Sequence, residues 1–187
     1  MDDTANLTGQ LLIAMPAMLD PNFHRTVTYI CEHSDQGALG IVINRPMDME
    51  MGEVFAQLSL TNPDPSVAST PILQGGPVEL QRGFVIHQSP EDWDSTVAVA
   101  DNIFVTTSQD ILGAIADGNG PEHALLALGY AGWGAGQLED ELVANSWLSV
   151  PATPEIIFEA PFEERWQKAA TLLGVDIVTL SSEAGHA

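Results

Sequence analysis

The stretch Gly37-Ala38-Leu39-Gly40-Ile41-Val42-Ile43-Asn44-Arg45-Pro46 decides how this chain is read. A β-branched apolar run lies between glycines and an Asn-Arg-Pro stop. Such a run reads as a buried central strand that delivers an amide and a guanidinium to its end. Just upstream, Thr26 to His33 alternates: Val27, Tyr29, Cys31 and His33 share one face, with Thr26, Thr28 and Ile30 on the other. Asp35-Gln36-Gly37 turns one stretch into the next. The link is short, so the two strands are expected to pair antiparallel.

Outward from this pair, residues 1–8 read as a polar lead-in, and Gln10 to Met15 as a strand stopped by Pro16. Met51, Val54, Phe55 and Leu58 fall at helical spacing, which predicts an amphipathic helix. Residues 61–71 form a loop rich in Pro, Ser and Asp. Strands are expected at Pro71 to Val78, Gly83 to His87, within Val97 to Thr106, and over His123 to Tyr130. Ser108 caps a helix that ends at Gly118, and Gln137 to Ala144 forms another. Glu155 to Phe158 reads as a short strand, Phe162 to Leu173 as a helix, and Val175 to Leu180 as a final strand. Helices and strands alternate without a βαβ rhythm, which places the chain in the α+β class with a mixed sheet.

The chain has 187 residues, 45% of them hydrophobic, enough for one domain over 1–187 with a sizeable core. Five Lys+Arg against 26 Asp+Glu leave a net charge of -21. That balance argues against nucleic acid, whose binding relies on cations displacing counterions from phosphates, and against anionic membranes. Cys31 is the only cysteine, so no intrachain disulfide can form. Met1-Asp2-Asp3 lacks a basic signal-peptide region, and no apolar run reaches membrane-spanning length. A cytoplasmic protein is expected.

Familiar catalytic motifs are missing. Gly129-Tyr130-Ala131-Gly132-Trp133-Gly134-Ala135-Gly136 fits no G-x-G-x-x-G, and the helix after it opens with Glu139, Asp140 and Glu141, which would repel a pyrophosphate. Those glycines are better read as allowing close packing around Trp133 and Trp147. The histidines at 24, 33, 87, 123 and 186 have no metal-ligand spacing, so no metal or cofactor is expected. Cys31 and His33, two apart on a strand, form a candidate reactive thiol beside an imidazole, although an inert packed cysteine is the more common outcome. The arginines carry the sharper hint. Arg25 precedes a strand, Arg45 ends one, and Arg82 introduces one, with Gly75-Gly76 just upstream. Convergence of these groups would build a small anion site from guanidinium forks and backbone N–H groups. The bland alternative pairs each arginine with a surface carboxylate.

Many segments, in order, match a known family. They include Gly9-Gln10-Leu11-Leu12-Ile13-Ala14-Met15-Pro16, Asp20-Pro21-Asn22-Phe23, Cys31-Glu32-His33, Gly40 to Pro46, Gly75-Gly76-Pro77-Val78, Arg82-Gly83-Phe84-Val85-Ile86-His87, Leu128-Gly129-Tyr130-Ala131-Gly132-Trp133 and Arg165-Trp166. In these the chain resembles the AlgH/YqgE family of bacterial proteins. One departure is Gln81, where the family often has Asp. The resemblance implies a mainly antiparallel bifurcated sheet curled into a pseudo-barrel with flanking helices. It implies no established activity. A role as transcriptional regulator has been proposed for the family, and fold alone supplies no mechanism for it. The residues favour a non-catalytic binding or regulatory protein. Its partner would be a small anionic ligand or a protein, held near Arg25, Asn44, Arg45, Gly75, Gly76, Arg82 and His87. The alternative is a thiol enzyme or redox switch using Cys31 with His33 or His87.

Overall fold

The computed structural model describes residues 6–61, 64–88 and 93–184. Residues 1–5 of the expected lead-in lie outside the described residues. Ten strands form one curled sheet, mainly antiparallel, shaped as a half-barrel with helices around it. Its spine is β9 (Ala124–Gly134). One edge of β9 carries β6 (Val78–His87), followed outward by β8 (Ile103–Thr106) and β7 (Thr96–Ala100). The other edge is shared. β5 (Pro71–Gln74) pairs parallel at Ala127 and Leu128, while β3 (Gly37–Val42) pairs antiparallel from Ala131 to Gly134. The sheet divides between these two partners. Beyond β3 come β2 (Val27–Ser34), β1 (Gln10–Ala14) and β10 (Trp147–Pro151); beyond β5 comes β4 (Pro46–Glu50).

The opening stretch is buried at its centre, with Gly40 to Ile43 packed inside, and β2 and β3 pair antiparallel as expected. β1 explains why its sequence is apolar throughout instead of alternating. Leu11 and Ile13 enter a large core shared with Trp166, Ala169 and Ile156, while Leu12 and Ala14 enter a second core with Trp133, Trp147 and Leu138. A strand covered on both faces needs no polar side. A third cluster seats α1 (Met51–Gln57) and α3 (Asp110–Ala116) on Ile72, Val85 and Leu126.

Several local expectations are corrected. The 61–71 loop contains a short helix, α2 (Pro65–Ala68), capped by Asp64. Ser108 does not cap α3; its hydroxyl donates to Asp110, whose carboxylate accepts the Ile111 N–H. α4 (Gln137–Val143) lies where expected. Glu155–Glu159 is a π-helical turn, not a strand: the Ala160 N–H reaches back to the Glu155 carbonyl at 2.8 Å. A short apolar run cannot be assigned by periodicity alone, and here Pro154 and the Thr153 hydroxyl start a helical turn. The expected helix from Phe162 opens as a 3₁₀ turn and becomes α5 (Arg165–Thr171). Val175 to Leu180 is not a strand either, because α6 (Ile177–Ala184) begins there. Asp176 accepts the Val178 and Thr179 N–H groups, the usual role of an N-cap. No helix among the described residues is long and apolar enough to cross a membrane.

Candidate functional site

The end of β3 is tied to three of the four arginines: to Arg25 through its backbone carbonyl, to Arg45 by sequence and to Arg165 through its guanidinium. The Asn44 side chain extends the ladder beyond the strand: its Nδ2 donates to the Arg25 carbonyl at 2.9 Å, and its Oδ1 accepts the Val27 N–H at 3.0 Å. Arg45 donates to the carbonyls of Asn22 and His24 at 2.7 and 3.0 Å, holding the loop before β2. Burial lowers its pKa, with the nearby Asp20 charge acting in the opposite direction. Arg25 has a left-handed backbone, φ 57°, and its exposed guanidinium lies 5.2 Å from the centre of the Trp166 ring. Arg165 closes the corner from below. It is 2% exposed and donates to the carbonyls of Ala160 and Ile43 at 2.9 and 2.7 Å. Burial brings its pKa down to about 10, so it stays charged at neutral pH. The Trp166 indole N–H donates to the Ala14 carbonyl, which fastens α5 to the end of β1.

Among the described residues, none of Arg25, Arg45 and Arg165 pairs with a carboxylate. Arg82 does: it reaches Glu79 at 3.2 Å and lies over the Phe84 and Tyr130 rings. The structure therefore brings Arg25, Asn44 and Arg45 together and leaves Arg82 apart on β6. Gly75 and Gly76 serve a backbone crossing. A Cβ on Gly75 would stand 2.4 Å from the Gly129 carbonyl oxygen, and one on Gly76 would stand 2.1 Å from the Tyr130 carbonyl carbon. The Gly75 N–H is already spent on Leu128. His87 is fully buried between Trp93 and Phe104, and its Nε2 meets the Thr106 hydroxyl at 2.7 Å. Desolvation lowers its pKa, partly offset by the Gln88 backbone.

Cys31 and His33 do not act together here, against the shared-face expectation. The β2–β3 register slips between Ile30 and Glu32, and this bulge reverses the alternation after Cys31. Cys31 packs against the large core, where burial and the neighbouring Glu32 push its thiol up to about 12. A reactive cysteine needs the opposite shift. His33 turns toward α4. Its Nδ1 accepts the Leu7 N–H at 3.0 Å, so its Nε2 carries the proton that is donated to Glu139 at 2.5 Å. Most of the glycine-rich segment lies inside β9. The Trp133 and Trp147 indoles both donate to Glu141, in keeping with a packing role. Among the described residues, no group of three or more His, Cys, Asp or Glu side chains could hold a metal. Arg165 is a further functional residue beyond the sequence candidates; its signs in sequence are the family segment Arg165-Trp166 and its place at a helix start.

Comparison with known proteins agrees with this architecture. A family model described as AlgH-like matches residues 11–178. A UPF0301 protein of Nitrosospira multiformis is 55% identical over 184 residues, covering 98% of this chain and 99% of the relative. One from Thiobacillus denitrificans is 52% identical over 185 residues, covering 99% and 100%. The solution structure of the AlgH protein from Pseudomonas aeruginosa is similar at a TM-score of 0.80 and 49% identity, covering 100% of this chain and 99% of that one. A crystal structure from Corynebacterium diphtheriae shares the fold at a TM-score of 0.73 and 23% identity, covering 97% and 94%.

Proposed function

The chain belongs to the AlgH-like family, and on that premise we propose that it is a non-catalytic binding protein that takes an anionic group at the Arg25, Asn44 and Arg45 corner. One observation carries this reading. The chain has 26 Asp and Glu, yet the arginines of this corner are held by carbonyls and an aromatic ring; Asp20 lies near Arg45, but no carboxylate among the described residues forms an ion pair with them. The Arg25 fork is exposed, and Arg45 has committed only part of its donors. An incoming carboxylate or phosphate gains charge-assisted, two-pronged hydrogen bonds there. The partner is a small anionic ligand or an acidic group on a protein. Any influence on transcription runs through such a partner, because a net charge of -21 opposes contact with DNA phosphates. A lone cysteine, unable to form an intrachain disulfide, supports a cytosolic setting.

The test is a titration of ¹⁵N-labelled protein with inorganic phosphate, citrate and a short polyglutamate peptide. At least one should give saturable shifts at the Arg25, Asn44 and Arg45 amides, and Arg25→Gln should remove them while the remaining spectrum is preserved. No saturable response to any of the three, or an undiminished response in the variant, rejects the reading.

A further inference from the structure

A cavity of about 520 Å³ opens between α1, the middle of β6 and the segment from β8 into α3. It is separate from the arginine corner. Its size falls in the range of small-molecule sites. Its floor is aliphatic and buried: Val85 is 3%, Leu126 5% and Leu112 8% exposed. Its rim is made of exposed amides, Gln57 from α1, Gln81 from β6 and Gln109 before α3. The buried Thr106 also lines the cavity. Its hydroxyl is fixed by His87 Nε2 at 2.7 Å and by Thr96 Oγ1 at 2.8 Å.

Among the described residues the lining contains no charged side chain, although 17% of the chain is charged. An anion entering it would meet no cation and would carry its charge into a chain of net charge -21. A cation would be drawn by that same field but would find no carboxylate among the described lining residues to replace its lost water. An uncharged ligand pays neither cost. Each glutamine amide offers both donors and an acceptor, so the rim suits a molecular edge that carries both. We propose that this cavity, between the Gln57, Gln81 and Gln109 amides and the Val85, Leu112 and Leu126 floor, binds a small uncharged molecule with an apolar body and an amide-like edge.

Three probes with one apolar body test it: phenylpropanamide, phenylpropanoate and phenylpropylammonium, each titrated into ¹⁵N-labelled protein. The amide is expected to give saturable shifts at Gly83, Val85 and the glutamine side chains. Its affinity should be about millimolar, as its size allows, and about tenfold tighter than that of either ion. Gly83→Val tests the location. A Cβ there meets Leu126 and Leu128 at 3.6 and 3.8 Å, ordinary contacts, and the branched side chain should occupy cavity space and abolish the shifts. Gln81→Glu, at the exposed rim, should move the preference toward the ammonium probe by several fold, and it provides a second readout should Gly83→Val fold poorly. Absence of saturation by the amide, equal binding of either ion, or an unchanged preference in Gln81→Glu overturns the proposal. So does undiminished amide binding in folded Gly83→Val.

Discussion

Replacing Arg165 by alanine should be among the most costly single changes in the chain. The guanidinium is 2% exposed and donates two hydrogen bonds, at 2.9 and 2.7 Å, to the Ala160 and Ile43 carbonyls. Hydrogen bonds from a charged donor contribute about 1.5–3 kcal/mol each. Their loss also strands two carbonyls at the point where the π-helical turn meets the end of β3. Against this stands the relief of no longer burying a charge. The lost contact with Phe162, whose ring centre lies 4.5 Å from the guanidinium carbon, adds to the cost. The net expectation is a loss of about 3 kcal/mol, with Arg165→Lys intermediate because an ammonium lacks the planar fork. Urea unfolding provides the measure: the midpoint should fall with little change in slope. Arg82→Ala is the control. Its ion pair with Glu79 has both side chains about half exposed, 49% and 55%, and its loss should cost under about 1 kcal/mol. An Arg165→Ala protein within about 1 kcal/mol of the parent would refute the claim that this guanidinium clamps the corner.

Gly76→Ala should destabilise by about 3 kcal/mol or more, because its Cβ would meet the Tyr130 carbonyl group at 2.1 Å and rigid backbone cannot yield; near-parental thermal unfolding would contradict the crossing described above. Cys31, with its thiol pushed up to about 12, should alkylate slowly in the folded protein at mildly alkaline pH and rapidly in urea; a rate midpoint below pH 8 or so would instead reveal an activated thiolate. His87 should make stability depend on pH. Its folded pKa is depressed, so below its ordinary value of 6.5 the unfolded chain takes up a proton that the native state refuses. Stability is therefore level above about pH 6.5 and falls on acidification toward the folded value. His87→Phe should lose less stability than the parent between about pH 7.5 and 5.5, and equal losses would show that the imidazole is not responsible.

Most of the sheet was legible because its strands carry their burial in composition. Ile41, Val42 and Ile43 could be read as interior, and the short Asp35-Gln36 link left β2 no alternative to an antiparallel pairing with β3. β4 escaped notice because it is exposed at alternate positions and offers only Met47 and Met49 as an inward signal. β10 was hidden by its brevity and by the half-buried Leu148 and Ser149. α6 was misread because Ile177, Val178 and Leu180 resemble a strand until Asp176 is recognised as a cap. The site depended more heavily on tertiary contacts. The bulge at Cys31 is invisible to alternation, and it separates a thiol and imidazole that the sequence places together. That the Arg25 backbone is tied to Asn44, beside Arg45, while Arg82 stands apart depends on register, which no local pattern contains. Gln81 departs from the family pattern in sequence; only the fold places it among the residues that line the cavity.

The shared edge of β9 has a dynamic consequence. Between Ala127 and Leu128 this strand has β6 on one side and β5 on the other, and a few residues later β3 takes over from β5. Neither branch of the sheet can peel from β9 without exposing the crossing at Gly76 and Gly129, where two backbones touch with no side chain between them. The branches are thus yoked, and the β9 amides are expected to be among the slowest in the chain to exchange with solvent, which native-state hydrogen exchange would check. The arginine corner and the uncharged cavity are joined by a shorter path as well, because β4 begins directly after Arg45 and its Met49 lines the cavity.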